Sequence, residues 1–512
     1  MKPNSSRRTT ALARLATAML VAGAFQGGPA NAASFQYRHS ILGLVASPAP
    51  PAQQAAAEIL VALTGGPTLP AGEVNWPYSY DLKQLLSVTG DSRYNASNVS
   101  WELQSGALPA GLSLGTDGVL SGIPTTKDTV GSSFQVKATY KSKSGQQAYT
   151  IVVNGAVLHV TQIALGYSHT CAVTTDGGVK CWGSNNYGQL GDGTITNRPT
   201  PVSVSGLNAA ITAVTAGNNF TCALTTGGGV KCWGYNGNGQ LGNNGTTTQR
   251  NPVDVVNLTS GVASVKSGYL SSCAVTTTGG AKCWGANTLG SLGDGSTTER
   301  RTPVDVSTLT SGVRSIAPGL NHACAVTTEG TVLCWGYNAF GQLGNNSTTN
   351  SSTPVTVSGL SGVVSLTGGG NHTCALTTAG GVQCWGLGTS GQLGNNSITN
   401  SKVPVNVYGL TSGVASVGGG GYHACAVTIS GGALCWGDNS NGGLGNNSIT
   451  ASKVPVSVTG LTSGVSAIAG AVNGNHTCAL TSEGPKCWGY NLYGQVGNNT
   501  TTDSRVPVAV YP

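Results

Sequence analysis

Fourteen cysteines, all beyond residue 170, fall into seven pairs. Six pairs are ten residues apart: Cys171/Cys181, Cys222/Cys232, Cys273/Cys283, Cys324/Cys334, Cys374/Cys384 and Cys425/Cys435. The seventh, Cys478/Cys487, is nine apart. Such pairs can form disulfides, pack as small apolar thiols or hold zinc. The first pair brackets "AVTTDGGVK", with Asp176 at its midpoint. A hairpin folded at Asp-Gly sets Cys171 opposite Cys181. Opposed residues of an antiparallel pair have Cα atoms about 4.5–5.5 Å apart, inside the disulfide range. The last turn, "TSEGPK", is one residue shorter, in step with its closer cysteines. Zinc is disfavoured, because the intervening stretch exceeds the usual two to four residues and no second close pair is local. The expectation is one disulfide per hairpin, each worth roughly 2–3 kcal/mol in the loop-entropy model.

Histidine is the next candidate. His169, His322, His372, His423 and His476 each stand two residues before the first cysteine of a pair, while Phe220 and Ser271 hold the matching places of the second and third units. One histidine per unit spreads them too far for a metal, so a structural hydrogen bond within each unit is expected. The "GQLG" stretches lack the strand-then-helix context of a nucleotide fingerprint and read as turn–strand–turn packing. "GDG" at 191–193 and 293–295 is too poor in acids for a calcium loop. Only ten acids follow residue 157, with no nucleophile elbow and no telling carboxylate pair. No metal or cofactor is expected.

These pairs must be positioned by a repeated element. The "CWG" tryptophans Trp182, Trp233, Trp284, Trp335, Trp385, Trp436 and Trp488 recur at intervals of 50–52 residues. Each unit reads as four strands, such as "GVASV", "HTCALT", "VKCWG" and "PVSV". A four-stranded unit of about 50 residues is the size of a propeller blade, and stacking around an axis completes each core. Gly-rich, charge-poor composition suits short strands and turns: 78 glycines and 8 % charged residues.

The units resemble the repeats of the regulator of chromosome condensation family. They share G-x-x-H-T-x-A-L-T, G-x-V-x-x-W-G, G-Q-L-G and a closing Pro-Val over about 70 % of the chain. A kelch propeller has similar blade length but fits "GQLG" and "HTCAL" poorly. The resemblance implies a seven-bladed ring used chiefly for binding proteins, and its secreted bacterial members include a β-lactamase inhibitor. In its cytosolic relatives the cysteine positions look like apolar packing sites.

Ahead of the ring, residues 66–154 alternate in "SFQVKATY" and "AYTIVVN" between Gly, Ser and Asp turns, a pattern for a β-sandwich. "LPAGLSL" and "GVLSGIPT" resemble the immunoglobulin-like domains of bacterial surface proteins, which implies a spacer or adhesion module without catalytic residues. The predicted class is all-β: a seven-bladed propeller over 158–512 behind an N-terminal Ig-like sandwich. Residues 33–65 read as a spacer, with room for a short helix at 53–63. Residues 1–32 read as a cleaved export leader, with Lys2, Arg7, Arg8 and Arg14, an apolar run and Ala30-Asn31-Ala32. Export fits disulfides. No later stretch is long and apolar enough for a span. Without the leader the charge of +7 falls to about +3, too thin for nucleic acid.

Positions that change between units are free for function. Tyr167, Tyr269, Leu270, Leu320 and Tyr422 precede the histidine position; Tyr235, Tyr337, Leu387 and Tyr490 follow "CWG". Tyrosines on a ring face give large contact area at low entropic cost. The expected function is that of an exported, non-enzymatic binding protein whose partner is another protein or a glycan. A surface adhesin, an envelope structural protein or a carbohydrate binder is the alternative, and a secreted hydrolase or lyase a third.

Overall fold

The computed structural model describes residues 57–512. The leader and the spacer up to residue 56 lie outside the described residues. Among those described, no helix is long and apolar enough to cross a membrane.

The first domain is built of strands. One sheet orders Gly72–Glu73, Lys143–Asn154, Asp128–Tyr140 and Val99–Gly106; a second orders Tyr78–Asp81, Val119–Gly122 and Leu112–Leu114. Alternation in "FQVKATY" works as a half-buried strand requires. Phe134, Val136, Ala138 and Tyr140 are buried, while Gln135, Lys137 and Thr139 are half-buried. Their core includes Trp101, Leu120, Tyr149 and Ile151. The Asp117-Gly118 turn brings backbone against the Trp101 ring: a Cβ on Gly118 would sit 2.6 Å from it. The sandwich starts earlier than the sequence suggested. Leu60–Leu63, placed by sequence in the spacer and its short helix, is a strand paired antiparallel with Leu86–Thr89. Burial of Val61 in the sandwich core outweighs the helical preference of the Ala-rich run before it.

Seven four-stranded antiparallel sheets follow, each made of four consecutive strands. The first comprises Val160–Leu165, His169–Thr174, Val179–Gly183 and Arg198–Ser203; the last, Val465–Gly470, His476–Thr481, Gly484–Gly489 and Ser504–Ala509. The two cysteines of every unit face each other in register on the second and third strands. All seven pairs are bonded. Cys171 joins Cys181, Cys222 joins Cys232, Cys273 joins Cys283 and Cys324 joins Cys334. Cys374 joins Cys384, Cys425 joins Cys435 and Cys478 joins Cys487. Their Cα atoms are 4.0–4.1 Å apart, nearer than the separation expected from sequence and closest to that of the narrow, non-hydrogen-bonded pairs of a ladder. No cysteine is free.

The hydrophobic cores lie between blades. Cys171 and Cys181 share a cluster with Trp233 of the next blade, and Cys222 and Cys232 with Trp284. Cys273 and Cys283 pack in the same way with Trp335, and Cys324 and Cys334 with Trp385. Cys374 and Cys384 meet Trp436, and Cys425 and Cys435 meet Trp488. Cys478 and Cys487 close the circle in a cluster with Trp182 of the first blade. A buried indole N–H needs an acceptor. Each of the seven ring tryptophans finds one in the preceding blade, at the carbonyl two residues before the second glycine of "GQLG" or its equivalent. Trp233 Nε1 donates to Gln189 O (2.9 Å), and Trp182 Nε1 donates to Gln495 O (2.9 Å) across the seam. The second glycine is what lets the indole in. Gly191 has φ +69°, and a Cβ there would stand 2.7 Å from Trp233 Nε1.

"GQLG" is two successive turns rather than the expected turn–strand–turn. The fifth residue before Leu190, Asn185, accepts its N–H (3.0 Å) and donates to Asp192 Oδ1 and Thr194 O, so a side chain replaces a strand partner. In that loop burial pushes the Asp192 carboxyl up, but hydrogen bonds from Thr194, Arg198 and Asn185 outweigh it and leave it below the usual range. "GDG" is a structural turn.

Candidate functional site

Strand order decides where the variable loops gather. Within a blade the innermost strand runs one way, the second returns, and the third repeats the first. The loop after the innermost strand and the loop after "CWG" therefore leave the same end of the sheet. All the predicted contact residues belong to these two loop sets, so they share one face.

The inner set forms a hoop around the ring axis, linked by backbone hydrogen bonds from blade one through to blade seven and open between seven and one. Tyr167 N donates to Gly217 O (3.2 Å), Asn218 N to Tyr269 O (2.9 Å) and Tyr269 N to Gly319 O (3.3 Å). Leu320 N donates to Gly370 O, Gly370 N to Gly421 O and Gly421 N to Gly474 O. This hoop fixes the backbone that carries Tyr167, Tyr269, Leu320 and Tyr422. The outer set carries Tyr235, Tyr337 and Tyr490.

Tyr235 and Tyr269 meet in one cleft of about 230 Å³, together with Asn218, Asn219, Leu270 and Tyr187. Tyr187 and Tyr235 touch edge to face, with ring centroids 5.1 Å apart. Tyr167 lies close enough to Tyr269 and Tyr490 to affect both phenols: burial raises each pKa, and Tyr167 raises it further, as does Tyr493 for Tyr490. An arc of tyrosines thus runs through blades seven, one, two and three. Leu320, Tyr337 and Tyr422 lie on the same face, in blades four and six. Tyr167 and Tyr422 are exposed, and the other five are half-buried. Leu387 is buried at 8 % exposure and offers no surface.

Sequence reasoning missed Tyr187, Phe340 and Tyr493. Phe340 packs edge to face on Tyr337 (5.9 Å) and Tyr493 on Tyr490 (6.5 Å). The signal was available: all three stand immediately before the first glycine of the "GQLG" turn or its equivalent, where other blades have Asn238, Leu289, Ser390 and Asn441.

The histidine bond joins neighbouring blades, which corrects the expectation of a bond within each blade. His169 Nε2 meets Thr221 Oγ1 at 2.9 Å, His322 meets Thr373 at 2.9 Å, and His423 meets Thr477 at 2.8 Å. Thr221 Oγ1 donates its one proton to Gln189 O (2.9 Å), so the histidine must donate from Nε2. Desolvation holds all five imidazoles neutral, with pKa values lowered to about 3 for His169, His372 and His476 and about 4 for His322 and His423. Among the described residues, no group of three or more His, Cys, Asp or Glu is placed to hold a metal ion.

The sandwich joins the ring at the opposite end of the blades. Glu73 accepts from Val157 N (2.7 Å) and lies 2.9 Å from His159 Nε2, while Trp76 stacks on His159 at 3.7 Å. His159 O in turn accepts from Thr175 N in the first hairpin turn, so this joint sits beside the Asp-Gly turns, at the end of the blade away from the tyrosine loops.

A family model described as "RCC1-like domain" matches residues 139–471. The chain belongs to the RCC1-like domain family. A second model, "Putative Ig domain", matches residues 61–154. Among curated RCC1-like relatives, human "Probable E3 ubiquitin-protein ligase HERC4" is 36 % identical over 40 % of this chain and 20 % of its own length. The Arabidopsis thaliana ultraviolet-B receptor UVR8 is 32 % identical over 39 % of this chain and 46 % of its own. This chain therefore spans less than half the length of either relative. The RCC1-like fold is shared with yeast RCC1 (Prp20), solved bound to Kap60, at TM-score 0.59 and 21 % identity over 69 % of this chain and 85 % of that one. Human WBSCR16 gives TM-score 0.59 and 23 % identity over 65 % and 94 %.

Proposed function

We propose that this chain is an exported, non-enzymatic binding protein that grips another protein through the tyrosine-bearing face of its ring. The observation that carries this reading is the gathering of both variable loop sets on one face, with the sandwich joined at the other. The backbone hoop holds that face in shape before a partner arrives, which lowers the entropic cost of binding. Tyrosine supplies apolar area with a hydroxyl at the rim, and such residues dominate binding energy at interfaces. The propellers of this family act as interaction scaffolds: yeast Prp20 was solved with Kap60 and studied for binding to Gsp1p and histones. Seven disulfides support an oxidising destination.

The second reading, a carbohydrate partner, is favoured by the Tyr187–Tyr235–Tyr269 cleft with its two asparagine side chains. One experiment separates the two. Full-length protein is used to capture partners from envelope and culture-fluid extracts, and is applied in parallel to a glycan array. Protein capture lost in Tyr167→Ala and Tyr235→Ala supports the first reading. Array binding lost in Tyr187→Ala supports the second. Undiminished capture by both tyrosine variants would remove this face from consideration.

A further inference from the structure

The channel on the ring axis encloses about 170 Å³ and is lined by the innermost strands of all seven blades. One position of those strands, in register with the first cysteine of each blade, is Ala164, Thr215, Ala317, Thr367, Gly418 and Ala469 in six blades. In the third blade it is Lys266, opposite Cys273. Lys266 is the one charged residue among those lining the channel, and no acid among the described residues pairs with it.

Its neighbours have hydrogen bonds to give. Ser267 also lines the channel, is 4 % exposed, and its Oγ has no partner. Thr215 Oγ1 accepts from Ser267 N at 2.8 Å, which leaves its own proton to donate. A buried hydroxyl without a partner is costly, and the ammonium beside it in the channel lining has water but no acid to answer its charge. Lys266 is open to channel water yet ringed by protein, and that desolvation lowers its pKa. An anion beside it would reverse the shift.

We propose that the axial channel binds a small oxyanion, of the carboxylate or phosphate class, at Lys266, with the hydroxyls of Ser267 and Thr215 as further donors. The volume admits such an ion. Charge-assisted hydrogen bonds from the ammonium supply most of the affinity. The site stands apart from the tyrosine loops and does not depend on their role.

The test titrates the full chain with sodium acetate and, separately, inorganic phosphate, each against sodium chloride at equal ionic strength. The readout is the NMR signal of 13C-labelled lysine side chains. One lysine signal, absent from Lys266→Met, should move saturably with acetate or phosphate, and the arm with the tighter response identifies carboxylate or phosphate. Ser267→Ala should keep that signal and weaken the response. Calorimetry should show binding weakened roughly 10- to 100-fold in Lys266→Met and unchanged in Lys282→Met, whose partner is Asp305 at the surface. If the wild-type signal responds no more than it does to chloride, or if Lys266→Met binds as tightly, the proposal fails. A wild-type spectrum in which no lysine signal responds beyond its response to chloride overturns the proposal even if that variant does not fold.

Discussion

His476 of the seventh blade reaches Thr170 of the first, 306 residues earlier, with 2.9 Å between Nε2 and Oγ1. Thr170 passes its own proton to Gln495 O (2.8 Å), the carbonyl that also accepts from Trp182. The seam is therefore fastened by the same three groups that join other blades, and no strand is exchanged across it.

Acid should open this ring. The five histidines are neutral when folded, with pKa values lowered to about 3 or 4, against about 6.5 in an unfolded chain. Between those limits the unfolded state binds more protons, so stability is full above about pH 6.5 and falls as pH drops toward 4. Each histidine contributes a slope of up to about 1.4 kcal/mol per pH unit. Urea midpoints from pH 8 to pH 4 should fall in that window, and His322→Gln should reduce the slope by about one proton.

His372 is the odd member. Its Nε2 is buried and has no partner, because the next blade has Ala424 where other blades have Thr170, Thr221, Thr373 and Thr477. Ala424→Thr should supply the missing acceptor and stabilise the ring by roughly 0.5–1.5 kcal/mol in urea denaturation. The same change at Ala323, where the preceding blade has Ser271 at the histidine position, should gain less.

Reductant should cost stability in many equal steps. Without it, denatured protein should show no thiol to an alkylating reagent, since all seven pairs are bonded. Replacing both Cys171 and Cys181 by alanine should lower stability by about 2–3 kcal/mol at pH 7. The same double replacement at Cys324 and Cys334, in a blade away from the seam, should cost a similar amount. Free thiols by mass spectrometry would contradict the bonding.

Gly191→Ala should be disproportionately harmful for so small a change. The backbone there has φ +69° and the new methyl would meet Trp233 at 2.7 Å. A loss of roughly 2–3 kcal/mol is expected from strain and displacement of the indole. Gly206→Ala, at φ +80° with open space around it, isolates the backbone share of that cost.

Periodic residues made the ring legible. The tryptophan interval gave the blade count, and the Asp-Gly turn between Cys171 and Cys181 gave their register. What escaped was what joins one unit to another. Spacing within a repeat places His169 beside its own cysteine but says nothing of Thr221, 52 residues on. The Leu60–Leu63 strand was missed for a similar reason: its partner, Leu86–Thr89, is remote in sequence and nothing local marks the pairing. The candidate face was half legible. Variability marked Tyr235 and Tyr269, but only the packing of the outer loops brings Tyr187 to them.

Because every sheet is drawn from one uninterrupted stretch, the circle has no privileged starting point. A gene opened between any two repeats, with the old ends of the ring joined by a short bridge from Pro512 to Leu158, should encode the same wheel. The order in which the ribosome delivers the blades is then a matter of where the sandwich is attached, not of how the wheel shuts.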